Sequence, residues 1–260
     1  MKKVIHISIW LTLFGGIVLL LSFAVKDQNH VICTGLNFNF TDKGTNGFIN
    51  EDDVRRIIVK QYDSLSGQLL NSINTSSISK TLGENPYIKN VHVFKSLNGE
   101  IQIDIERHVA LVRIINKNNK SFYLSENGAV LPFSKNYTPL VMVASGNISE
   151  DYSSIKAEKY DKGYTSASNQ NILSSAHLLS KTLKQHEHLN KFIEQIYVNN
   201  QGELELVPSD GEHYIIVGDV DALQQKLNNL MAFYREGLPK MKNDFTSINL
   251  KFTNQVVCKK

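Results

Sequence analysis

The chain has 260 residues, 42% hydrophobic and 20% charged, with a formal net charge of +3. That balance describes a folded globular protein and excludes a disordered stalk. No Lys/Arg run is long enough to track a phosphate backbone, which argues against nucleic acid as a partner. The two cysteines, Cys33 and Cys258, are too few and too distant for a disulfide framework, and they read as separately buried small hydrophobes.

Val4 to Val25 is an uncharged run of 22 residues flanked by Lys2, Lys3 and Lys26. As a helix it spans about 33 Å, enough for a hydrocarbon core of about 30 Å, and a helix satisfies its own backbone groups in lipid. The pattern predicts a short cytoplasmic tail over 1–3 and a single transmembrane helix over 4–25, with everything from Lys26 onward exported. A cleaved signal peptide is the alternative, because Ser22-Phe23-Ala24 resembles a cleavage site. The apolar run is longer than the about 7–15 residues of a signal core.

From His30 to Thr41 an alternation of Val31, Cys33, Phe38 and Phe40 predicts a strand broken at Thr34-Gly35-Leu36. Asn50 is placed to cap a helix whose first turn is Glu51-Asp52-Asp53 and whose apolar face is Val54, Ile57 and Ile58. Thr75 is read as the cap of a second, shorter helix carrying Ile78 and Leu82, which Gly83 and Pro86 end. Two alternating strands follow, joined by a hairpin at Leu97-Asn98-Gly99-Glu100. The order β-α-α-β-β over 30–107 predicts a compact α+β module. Glu106-Arg107 ends it and is read as a join, with a salt bridge across the boundary.

Beyond Arg107 come short apolar runs at Leu111–Ile115, Phe122–Leu124, Ala129–Leu131 and Leu140–Val143, with Ser145–Asn169 as a polar loop. Asn171–Leu189 has helical spacing. Three strands are expected around Ile193–Val198, Leu204–Leu206 and Tyr214–Val217, then a long helix capped by Asp219 and ended near Gly237 and Pro239. Ile248, Leu250, Phe252 and Val256-Val257-Cys258 close the chain. This second unit, 108–252 with a strand end over 253–260, is expected to be a mixed β-sheet packed with two helices.

Chemistry-bearing motifs are scarce. His186 and His188 lie about 200° apart on a helix, a poor metal pair. Ser77-x-x-Lys80 and Ser153-x-x-Lys156 have the spacing of penicillin-binding enzymes but lack companion S-D-N and K-T-G segments. The sequence therefore predicts no enzyme, no cofactor, no metal and no small-molecule substrate.

In order and spacing, Gly47–Val54, Leu82–Val91, Ile103–Ala110, Tyr123–Gly128 and Ile248–Phe252 resemble the bacterial cell-division family FtsQ/DivIB. His108 stands where that family has Pro, and Ser125 roughly where it has Asp before the turn glycine. The resemblance implies a POTRA module over 30–107, a β-domain over 108–252 and a non-catalytic scaffold role at the division septum. It places the protein in the cytoplasmic (inner) membrane with its bulk on the periplasmic side. It also implies partners of the FtsB and FtsL type, single-span proteins that add a strand to the edge formed by the chain's last strand. The matching positions are Phe252, Asn254, Gln255, Val256 and Val257. The family's aromatic residue further along that strand is missing, and Tyr234 on the preceding helix is a candidate substitute anchor. The alternatives are a POTRA-bearing envelope export or assembly adaptor and, less favoured, a Ser-Lys peptidoglycan enzyme.

Overall fold

A computed structural model describes residues 10–19, 31–42, 46–156, 171–210, 213–238, 245–252 and 255–260. Residues 10–19 form a helix, α1, with exposed Trp10, Leu11 and Phe14. Among the described residues no helix is long and apolar enough to cross a membrane. The remainder of the expected span, 4–9 and 20–25, lies outside them. The chain divides into two units at Arg107/His108.

In the first unit β1 (Gly35–Phe40) is followed by α2 (Glu51–Tyr62), a 3-10 turn (Leu70–Ser72), α3 (Thr75–Gly83), β2 (Ile88–Lys95) and β3 (Glu100–Arg107). The sheet order is β1-β3-β2, with β3 parallel to β1 and antiparallel to β2. β3 is central because it alternates strictly, sending Ile101, Ile103 and Ile105 into the core at 0% exposure. Val54 and Ile58 of α2 and Ile78 and Leu82 of α3 meet them there. Asn50 caps α2 reciprocally: its Oδ1 accepts from the Asp53 amide at 2.9 Å and its own amide donates to Asp53 Oδ2 at 3.0 Å. For α3 the cap is Asn74, whose Oδ1 accepts from the Ser77 amide at 3.1 Å, so the expected cap Thr75 is instead the first helical residue. Asn outranks Thr at that position, and the chain uses the better acceptor one residue earlier.

The expected salt bridge across the unit boundary is corrected by the pairing. Arg107 binds Asp42 within its own unit, Nε to Oδ1 and Nη2 to Oδ2, both at 2.8 Å. Nη1 donates to the Ile49 carbonyl at 3.2 Å, and the guanidinium lies 4.6 Å from the centroid of the Phe40 ring. Gly47 lies under that guanidinium, where a Cβ would come within 2.7 Å of Nη1. Glu106 accepts from Lys89 and Asn90, both of the same unit, at 2.6 Å.

The second unit carries a nine-stranded sheet in the order β12-β11-β10-β9-β8-β7-β4-β5-β6. Its strands are β4 (Ala110–Ile115), β5 (Ser121–Ser125), β6 (Val130–Pro132), β7 (Met142–Gly146), β8 (Ile193–Val198), β9 (Leu204–Pro208), β10 (Tyr214–Gly218), β11 (Ser247–Asn249) and β12 (Val257–Lys259). Its helices are α4 (Tyr152–Ile155), α5 (Ile172–Gln185), α6 (Glu187–Phe192) and α7 (Leu223–Ala232), the last continuing into a π-helical turn over Phe233–Gly237. Leu173, Ala176, Leu179 and Leu183 of α5 and Leu223, Leu227 and Leu230 of α7 pack on Val112, Ile114, Ile196, Leu206, Ile215 and Ile248.

Four local expectations change. The run 171–189 is two helices, because His186 takes extended backbone angles and donates its amide to the Leu183 carbonyl, which ends α5. Asp219 does not cap α7: its Oδ1 accepts from the Asp221 amide and from Lys226, while Ala222 at φ 50° precedes the helix without a side-chain cap. The strand expected at 140–143 runs Met142–Gly146, set by pairing with β4 and β8, and leaves Leu140 fully exposed. The expected loop opens on α4, capped by Asp151, and residues 157–170 lie outside the described residues.

Candidate partner-binding edge

β12 is antiparallel to β11, with Ile248 facing Cys258 and Asn249 facing Val257. Among the described residues β11 is its one neighbour in the sheet, so β12 forms an edge. The Thr246 amide donates to the Lys259 carbonyl at 2.8 Å and anchors the inner side of β12. The opposite edge differs. β6 is three residues long and ends on Pro132, which has no N–H to offer an incoming strand.

The candidate side chains sort by alternation. Val256 and Cys258 pack against the helix-side core, whereas Val257 is 39% exposed and Lys259 is exposed on the other face. Gln255 is exposed. Phe252, 47% exposed, stands at a bend after β11, beside a small cleft of about 50 Å³ shared with Ala222, which precedes α7, and with Gln225 and Asn229 of that helix. Asn254 lies outside the described residues. The approach to Phe252 is held by Lys251, which pairs with Glu203 and lies over Gly218, where φ is +76° and a Cβ would come within 2.8 Å of Lys251 Cγ.

Tyr234 sits differently from Phe252. It lies in the π-helical turn, half-buried, with its hydroxyl 2.6 Å from His213 Nε2 and its ring edge-on to Phe192 at 5.2 Å. Phe245 packs edge-on to His213 at 5.2 Å, and Phe233 closes the cluster. Burial, then the nearby Asp210 and Cys258, push the Tyr234 phenol far above its ordinary pKa. Burial likewise raises the Cys258 thiol, an inert setting for sulfur. The aromatic base under β10, β11 and β12 is thus built from Tyr234 together with His213 and Phe245. The sequence reading missed those two, whose signal was only a histidine at a strand entrance and a phenylalanine two residues before a strand.

Neither Ser-x-x-Lys pair forms a catalytic dyad among the described residues. Ser153 donates to Asp151 at 3.0 Å, Lys156 is exposed, and Ser77 and Lys80 lie on α3 with no hydrogen bond between them. No cluster of metal ligands occurs among the described residues. Cys33 and Cys258 are free thiols in separate units.

Among known families, the model described as FtsQ/DivIB, C-terminal related, matches residues 110–259, which takes in β4 through β12 and the whole edge. The model of the POTRA-like domain matches residues 31–106. No individual curated protein matches the chain.

Proposed function

The chain belongs to the FtsQ/DivIB family, and on that premise we propose that it is a non-catalytic scaffold of the cell-division septum. Residues 4–25 anchor it in the cytoplasmic membrane with the N-terminus in the cytoplasm, and the POTRA module over 30–107 and the β-domain over 108–252 stand on the far side. FtsB/FtsL-like single-span partners are captured by strand addition at the closing ribbon, 253–260.

One observation carries this reading: the sheet has two edges of equal length, and the one ending in Pro132 lacks an N–H there, while β12 has no partner on its outer side among the described residues. An open strand edge offers N–H and C=O groups in register, and alternate side chains supply selectivity. Phe252, Gln255 and Val257 are the positions placed to touch a partner. Val256 and Tyr234, packed inward, hold the ribbon that the partner reads.

The test is capture of FtsB/FtsL-like partners by the full-length chain. Val256→Pro should abolish co-purification and Phe252→Ala should weaken it, each leaving the far-ultraviolet circular dichroism unchanged. Retention of the partner by both variants refutes strand addition here. A fluorescent fusion spread evenly over the envelope, instead of gathered at midcell, would favour the export-adaptor reading.

A further inference from the structure

Arg113 stands in the middle of β4, between Val112 and Ile114, which face the helix-side core. Strand alternation puts it on the other face of the sheet, opposite Tyr123 of β5. Its one hydrogen bond among the described residues goes from Nη2 to Ser121 Oγ at 3.1 Å. The guanidinium carbon lies 5.1 Å from the Phe133 ring centroid, and Nε is buried without a hydrogen-bond partner. A half-buried cation with an unused donor and no anion paired to it among the described residues is costly to keep in a strand that is otherwise apolar.

The same side chain lines an open pocket of about 460 Å³. Lys120 and Asp151 lie on its rim and neutralise each other at 2.7 Å, so Arg113 supplies its uncompensated charge. Phe133, 42% exposed, and Tyr152 give it aromatic walls. We infer that this pocket binds an organic carboxylate with an apolar body, the carboxylate on the Arg113 guanidinium and Ser121 hydroxyl and the body between Phe133 and Tyr152. Guanidinium and carboxylate match as charge-assisted, planar partners. A doubly charged phosphate fits less well, because a single free cation would leave its second charge facing Asp151. A free organic acid and the C-terminal carboxylate of a peptide share this chemistry.

The experiment is saturation-transfer NMR on the full-length chain with phenylacetate, phenylacetamide and inorganic phosphate as probes. N-acetyl-Ala-Phe with a free or an amidated C-terminus separates the two sources, the tighter of peptide and phenylacetate marking which one the pocket favours. Phenylacetate should bind and phenylacetamide should not, with phosphate a poor competitor. Arg113→Gln should weaken phenylacetate about tenfold or more. Phe133→Leu, which keeps the charge and an apolar side chain, should weaken phenylacetate while leaving any phosphate binding unchanged; it serves as the deciding variant if Arg113→Gln unfolds. Equal transfer to acid and amide, competition by phosphate at the same concentration as phenylacetate, or undiminished binding in Phe133→Leu overturns the inference.

Discussion

Asp42→Asn is the sharpest perturbation available in the first unit. The side chains of Arg107 and Asp42 are 5% and 8% exposed, and the guanidinium is spent on two carboxylate bonds, one carbonyl and one ring. Asparagine keeps the shape and one acceptor but leaves a buried positive charge without its counter-ion, a loss of about 3–5 kcal/mol. Amide hydrogen exchange at Ile101, Ile103 and Ile105, the centre of that unit's core, reads this locally. Exchange through opening of the unit should accelerate by a hundredfold or more, since about 1.4 kcal/mol is tenfold. The double variant Asp42→Asn/Arg107→Met should recover part of the protection, because it removes the unpaired buried charge while the asparagine oxygen can still accept from the residue-107 amide, as Asp42 Oδ1 does. Acid gives an independent reading. Burial on its own would raise the Asp42 pKa, but hydrogen bonds and charge from Arg107 outweigh it and hold the carboxyl below its ordinary value. A carboxyl lowered in the folded state stabilises the fold at pH values above its unfolded pKa. That contribution is lost as pH falls through the lowered value. The wild-type core should therefore lose protection on acidification through that window, and Asp42→Asn should lack this step. Unchanged exchange in the single variant, or a double variant no better protected than the single, would refute the account.

Ala222→Gly should stabilise the second unit by about 1 kcal/mol in urea unfolding, because Ala222 holds φ at 50° and glycine removes that strain. Gly146→Ala should cost at least about 3 kcal/mol in the same measurement. Gly146 has φ +103°, and an added Cβ would stand 2.3 Å from the Val198 carbonyl oxygen in the β7–β8 pairing. Asn50→Ala, which removes the capping box of α2, should cost about 1 kcal/mol, read by exchange at Val54. Asp151 is drawn down to about 2, first by the Lys120 hydrogen bond and then by the Ser153 amide and hydroxyl. A carboxyl ¹³C titration should find its midpoint there, so the Lys120 pair persists until pH falls to that value, and Lys120→Gln should move the midpoint upward.

Where local chemistry decides, the sequence is transparent. Strict alternation of Ile101, Ile103 and Ile105, the Asn50/Asp53 box and the Asn98-Gly99 turn each act through neighbours only residues away, and each is legible from residue type. Asp42–Arg107 is not, because 65 residues separate the pair and no pattern marks Asp42 as the acid that will be buried. The same limit hid β7: its ends are set by pairing with β4 and β8, which come from elsewhere in the chain, and an exposed Leu140 looks apolar in sequence whichever way it points. At the candidate edge, the alternation of Val256, Val257 and Cys258 was readable, while the support from His213 and Phe245 depended on a tertiary cluster.

The contrast between the two edges also says what kind of partner contact the protein can sustain. β12 is only three residues long; its inward side chain Cys258, and Val256 just before it, pack against the core that α7 covers. A partner strand laid on β12 would extend the sheet without asking any core residue to move, so the cost of association falls on ordering the partner. A short ribbon also limits how many backbone bonds a strand can make, so under strand addition a side-chain anchor such as Phe252 would have to supply much of the affinity. Alanine at Phe252 should therefore weaken capture through faster dissociation with little change in association rate, the pattern expected when a packed anchor is lost. Proline at Val256 acts on the ribbon itself. Surface-bound partner should show the difference directly, with a shortened residence time for the first variant and no measurable complex for the second.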